Sequence, residues 1–156
     1  MTVADGTSNT LAFAEVKMFT PYLRDLATAL PAGTAVPASP AVVTGYGGTF
    51  KVDSGHTEWV DARVHQTGIT TLFTPNTSVP YVNGGVTYDV DFNSTREGTS
   101  TTGITYAAVT SRSHHSALVH VMMLDGTCRA VSNSINLAVW RAIGTRNGNE
   151  AVGDLE

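Results

Sequence analysis

The sequence has little of three things. It has one cysteine, Cys128, in 156 residues, so no disulfide can form within the chain and cysteine usage does not separate a reducing from an oxidising compartment. Charge is sparse: 14% of residues, a formal net charge of -4 and no cluster of Lys or Arg, which removes the electrostatic footprint of a nucleic-acid or anionic-surface binder. No apolar run approaches the ~18 residues that a membrane span needs, and the start, MTVADGTSN, lacks the charged and apolar regions of a signal peptide. What is present is 42% hydrophobic residues and 15 glycines, a turn-rich chain with enough apolar surface for a core. Its length predicts a single globular domain over 1–156.

Turn signals divide the chain. Asp5-Gly6 precedes a run in which Leu11, Phe13 and Val16 suit a half-buried strand over 10–18. Thr20-Pro21 reads as an N-cap and first helical position, and Leu23, Leu26, Ala27 and Leu30 repeat at helical spacing until Pro31, predicting an amphipathic helix. Residues 31–41, PAGTAVPASPA, suit an ordered surface loop. From Val42 to Phe92, β-branched and aromatic residues interrupted by Gly, Pro or Asn (VTGYGGTFKV, TGITTLFTPN, VTYDVDF) predict short, irregular strands. NSTREGTSTTG is a second loop, and ITYAAVTSRS a further strand.

Val119 to Leu124, Asp125-Gly126 and Thr127 to Val131 predict a hairpin closed by a two-residue type I′ turn. In that register Met123 faces Cys128, Val121 faces Ala130 and Val119 faces Ser132, so Cys128 is expected in the core as a small, inert hydrophobe. Asn133 is expected to cap a helix over 134–143 that ends at Gly144, with Ile135, Val139, Ala142, Ile143 and Trp140 on its buried face. The predicted class is α+β, an irregular antiparallel sheet with short helices and the C-terminal helix packed on the hairpin.

No pattern compels a reaction, and no catalytic residue is named. His56, Glu58, Asp61 and His65 are the first metal candidates, because alternation along a strand would place His56 and Glu58 on one face as imidazole and carboxylate ligands for zinc. Their spacing matches no established ligand motif, and a solvated polar face competes. Asp89, Asp91 and Asn93 match the start of a calcium loop, but Ser94 replaces the required Gly and Ser100 stands at the Glu position. The plain alternative is a strand with Val90 and Phe92 inward and the carboxylates outward. His114, His115 and His120 are not expected to share a site, since strand neighbours and residues five apart point to opposite faces. Tyr46, Trp59, Tyr81 and Tyr88 would suit a glycan- or peptide-binding surface, although aromatics in short strands more often pack. No serine sits in a nucleophile elbow, and Gly84-Gly85 lacks the strand–glycine–helix context of a phosphate loop. No cofactor is expected, with calcium left open as an oxygen-ligand site of another geometry.

His115, nine further residues and Asp125-Gly126, followed by INLAVWRAIGTRNGNE, resemble the prepilin-type processing-associated domain, a family of pilin-like envelope proteins abundant in planctomycetes and named for that spacing. DGTSNTLAFAE and HTEWVDARVHQTG with TPN are similar to stretches of the same family. The resemblance covers most of the chain and is densest over 105–150; Thr127-Cys128-Arg129 departs from the family's usual Ser-Val-Arg. It implies a pseudopilin-like globular part, an envelope or extracellular location, and protein subunits or envelope components as partners, further copies of the chain included. Members usually begin with a long apolar helix, which this sequence lacks, so membrane attachment would need that absent helix. His115 and Asp125 are not expected to form a dyad, because ten steps along one strand at ~3.3 Å separate them by roughly 30 Å. They are read as strand entry and turn. A non-enzymatic pilin-like domain is therefore the expectation, with a glycan- or peptide-binding module and a metal-dependent hydrolase at His56 and His65 as alternatives.

Overall fold

The computed structural model describes residues 2–97 and 103–150. The chain forms two compact units threaded through each other in sequence: one takes residues 1–17, 73–77 and 110–156, the other 18–72 and 78–109. The class is α+β, as the sequence predicts.

The first unit holds a three-stranded antiparallel sheet of order β1-β8-β9, with β1 Leu11–Ala14, β8 Leu118–Met123 and β9 Cys128–Ser132. Alternation along β8 buries Val119, Val121 and Met123, and the core is completed by Val131, Ile135 and the helix α3, Leu137–Ile143, through Trp140, Ala142 and Ile143. The helix stops at Gly144 as expected, but its cap is Asn136, whose side chain accepts from the Ala138 amide at 2.8 Å. Asn133 is used otherwise, accepting from Asn76 Nδ2 at 2.8 Å.

The hairpin turn corrects the predicted register by one residue. Met123 donates its amide to Thr127 O at 2.9 Å, Gly126 donates to Met123 O at 3.0 Å, and in the loop Leu124-Asp125-Gly126 only Gly126 takes a positive φ, +85°. This is the three-residue loop with glycine in the left-handed position, not a type I′ turn, which would need positive φ at Asp125 too. Met122 therefore faces Cys128, His120 faces Ala130 and Val119 faces Val131. A slip of one residue turns a strand over, and Cys128 is exposed instead of buried. The type I′ turn occurs elsewhere, at Gly84-Gly85, where φ of +57° and +80° joins β4 (Pro80–Asn83) to β5 (Val86–Asp89).

The second unit centres on a four-stranded sheet of order β3-β2-β6-β7, with β2 Thr20–Arg24, β3 Thr49–Gly55, β6 Asp91–Asn93 and β7 Ala107–Ala108. β2 and β6 run parallel and the other neighbours antiparallel. The predicted helix after Thr20 is thus a strand. Burial of Tyr22 and Leu23 between two neighbouring strands outweighs the helical spacing, and Pro21, which has no N–H to give, sits where the β2–β3 register shifts. Opposite it, a β-carbon at Gly55 would overlap the carbonyl oxygen of Thr20, so the close approach requires glycine. Two short helices replace predicted loop and strand, α1 at Pro40–Gly45 with Pro40 at its start and α2 at Val64–Thr67. The predicted strands in TGITTLFTPN and ITYAAVTSRS shrink to a bridge at Thr70, whose amide donates to Val109 O at 2.7 Å, and to β7. Part of the NSTREGTSTTG loop lies outside the described residues.

Candidate functional site

In each unit histidines meet carboxylates. In the first, Glu15 follows β1 with its backbone held on three sides: its amide donates to His120 O at 3.1 Å, and its carbonyl accepts from the Arg112 amide at 3.0 Å and from Ser111 Oγ at 2.8 Å. Its carboxylate reaches β8, where Oε2 accepts the His120 amide at 2.7 Å. His115 lies in a bend over residues 114–117 that Ala117, at φ +66°, turns into β8. The His115 ring consequently folds back edge-on to His120, centroids 4.8 Å apart. His115 Nε2 stands 3.4 Å from one Glu15 oxygen and His120 Nδ1 3.5 Å from the other. One ligand-type atom from each of the three residues lies within 4.8 Å of the others. Strand parity predicted His115 and His120 apart; they meet because His115 is not on the strand. Burial works to raise the Glu15 carboxyl, and the His120 amide and the two imidazoles overcome it, holding it below the usual carboxylate range.

Other residues of the stretches quoted for the resemblance are spent on the same unit's frame. Asp125 accepts from the Thr127 hydroxyl at 2.7 Å and amide at 2.9 Å, which lowers its carboxyl, while the Asp125 and Leu124 amides donate to Thr7 O at 3.1 Å and Thr10 O at 2.8 Å. Asp5 accepts from the amides of Gly148 and Asn149, each at 2.9 Å. Asn76, of TPN, accepts from the Ser113 amide at 2.8 Å and donates to Leu118 O at 3.2 Å, so it clips both ends of the bend that carries His115. Sequence reasoning singled out neither Glu15 nor Asn76, although each sits in a stretch quoted for the resemblance. His115 and Asp125 flank opposite ends of β8 and take different partners.

In the second unit, His56 ends β3 in the left-handed region at φ +58° and is buried, its Nδ1 donating to Gln66 O at 3.0 Å and its Nε2 3.3 Å from Asp91 Oδ2. His65, on α2, stacks on Tyr22 at 4.6 Å and accepts at Nδ1 from Asn93 Nδ2 at 3.0 Å; that amide also donates to Glu97 at 3.1 Å. Glu58 is exposed with its amide bound to Gln66 Oε1, and Asp61 pairs with Arg63 at 2.8 Å. The four residues expected to alternate as ligands are thus split between interior and surface. Asp89 is exposed and accepts from the Val79 amide at 2.7 Å, whereas Asp91 is 1% exposed, because β6 is an inner strand with polar partners on the face opposite Phe92. The expectation of outward carboxylates is corrected at Asp91. Ser100 lies outside the described residues.

Burial pushes the His65 imidazole down, against the upward pull of Glu97 and Asp61. A depressed folded-state value means that His65 stabilises fully above its unfolded value of about 6.5 and ceases to do so as pH falls through the folded value. Urea midpoints measured from pH 7 to pH 5 are expected to fall, with the His65 ring charging, by NMR, below its free value. A His65 ring that charges at or above its free value would contradict this.

Of the four aromatics, Tyr81 and Tyr88 pair across β4–β5 and pack on Phe50 at 5.4 and 4.9 Å, and Tyr46 leans on Phe92 at 5.6 Å, lining an apolar cavity of about 160 Å³ with Leu30, Val36 and Val43. Trp59 is 77% exposed. Among the described residues, no helix is long and apolar enough to cross a membrane.

The convergence of DGTSNTLAFAE, TPN and the His115 to Gly126 stretch on one sheet marks a shared structural unit. The chain belongs to the family described as protein of unknown function DUF1559, whose model matches residues 1–138. Searches of curated proteins and of solved structures gave no match.

Proposed function

We propose that the chain is the non-enzymatic, pilin-like globular part of an exported bacterial envelope protein, working by packing against protein subunits or other envelope components, further copies of itself included. The observation that carries this reading is the use made of the signature residues. Asp5, Asn76, Asp125 and Gly126 shape turns and tie backbone segments together, the role of a frame and not of a reaction centre. Fractionation of producing cells is the test: the protein is expected in the envelope or secreted fraction, cross-linked to other subunits. Recovery as an intact, uncross-linked cytosolic protein would overturn the reading.

A further inference from the structure

We propose that Glu15, His115 and His120 form a binding site for a divalent transition ion of the zinc class. Neighbouring ligands of a tetrahedral zinc, at bond lengths of about 2.0–2.1 Å, lie about 3.3–3.5 Å apart. The two imidazole nitrogens stand 3.4 and 3.5 Å from the Glu15 oxygens. Those distances run to different oxygens of the carboxylate; with one ligand atom taken from each residue the three lie within 4.8 Å of one another, close enough for rotation of the half-exposed rings to bring them to the tetrahedral spacing. The donor set of two imidazoles and one carboxylate suits zinc and its neighbours, whereas calcium and magnesium take oxygen ligands.

The site is held from behind. The His120 amide fixes one carboxylate oxygen at 2.7 Å, and Ser113 Oγ accepts the His115 amide at 3.1 Å. Such outer contacts orient ligands before an ion arrives. Both rings are about half exposed, 52% and 51%, so an ion enters from solvent and its remaining position is open to water or to a ligand from another molecule. Binding would pin the end of β1 to the bend before β8, segments 100 residues apart in sequence (Glu15 to His115).

The experiment is calorimetric titration of zinc ion into the metal-stripped full chain at pH 7.5, with circular dichroism to establish that each variant is folded. Saturable uptake of about one ion per chain is expected. His115→Ala and His120→Ala should each weaken it by at least about tenfold, since loss of an outer-shell partner alone costs 10–100-fold. His114→Ala, beside the site but outside the cluster, should leave it unchanged. Zinc should raise Tm for the wild type and not for the His115→Ala/His120→Ala double variant. Absence of saturable uptake, or uptake that the folded double variant retains, would overturn the proposal.

Discussion

Asp91→Ala is expected to cost about 3–5 kcal/mol of unfolding free energy, a large part of the stability of any domain this size. The reason lies in what it leaves behind. His56 Nδ1 faces the Gln66 carbonyl, which can only accept, so that nitrogen carries a proton. Nε2 then faces the Asp91 carboxylate at 3.3 Å, with the two side chains 2% and 1% exposed. Removing the carboxylate strands a buried imidazole. Asp91→Asn separates this account from a simple packing loss: its amide can donate to an unprotonated Nε2, and the cost should fall to about 1 kcal/mol, that of an ordinary hydrogen-bond exchange. Denaturant unfolding of the three proteins checks it, and an alanine variant within 1 kcal/mol of wild type would sink it. The left-handed backbone at His56, φ +58°, argues that the position is held against its own preference by these contacts.

The sequence made the strands β3 and β6 of this region visible, but neither β2 nor α2, nor their meeting. His56, His65 and Asp91 are spaced for nothing when read along the chain, and only the parallel pairing of β2 with β6 beside β3 brings their polar faces together. Periodicity also misled after Thr20, where four apolar residues at helical spacing became a strand, because pairing on both sides offered Tyr22 and Leu23 more burial than a surface helix could. The hairpin shows a finer limit. Asp-Gly announces a turn in either register, and the choice depends on whether Asp125 takes a positive φ. Its carboxylate bonds to Thr127 and its amide bond to Thr7 hold it in the alternative that sends Cys128 outward. Thr7 is too distant in sequence for any local rule to weigh. Strand parity separates His115 from His120, a sound rule applied to a residue that lies just before the strand.

Trp140→Ala is expected to cost about 3–5 kcal/mol, the usual range for emptying a large aromatic site in a core. Trp140 is fully buried on α3, a helix of seven residues whose own hydrogen bonds cannot sustain it in isolation. Its stability therefore comes from burial, with Ala142 and Ile143 alongside and Asn136 capping the start. The family match ends at residue 138, within this helix, yet the side chains beyond that point are as deeply buried as those of β8. Trp140→Phe distinguishes volume from polarity. Among the described residues the indole Nε1 meets no acceptor, so phenylalanine removes an unpaired buried donor while keeping most of the packing. Its cost should be about 1–2 kcal/mol, the lost volume offset in part by the lost desolvation penalty. A phenylalanine variant as unstable as the alanine one would show that the indole nitrogen has a partner on which the helix depends.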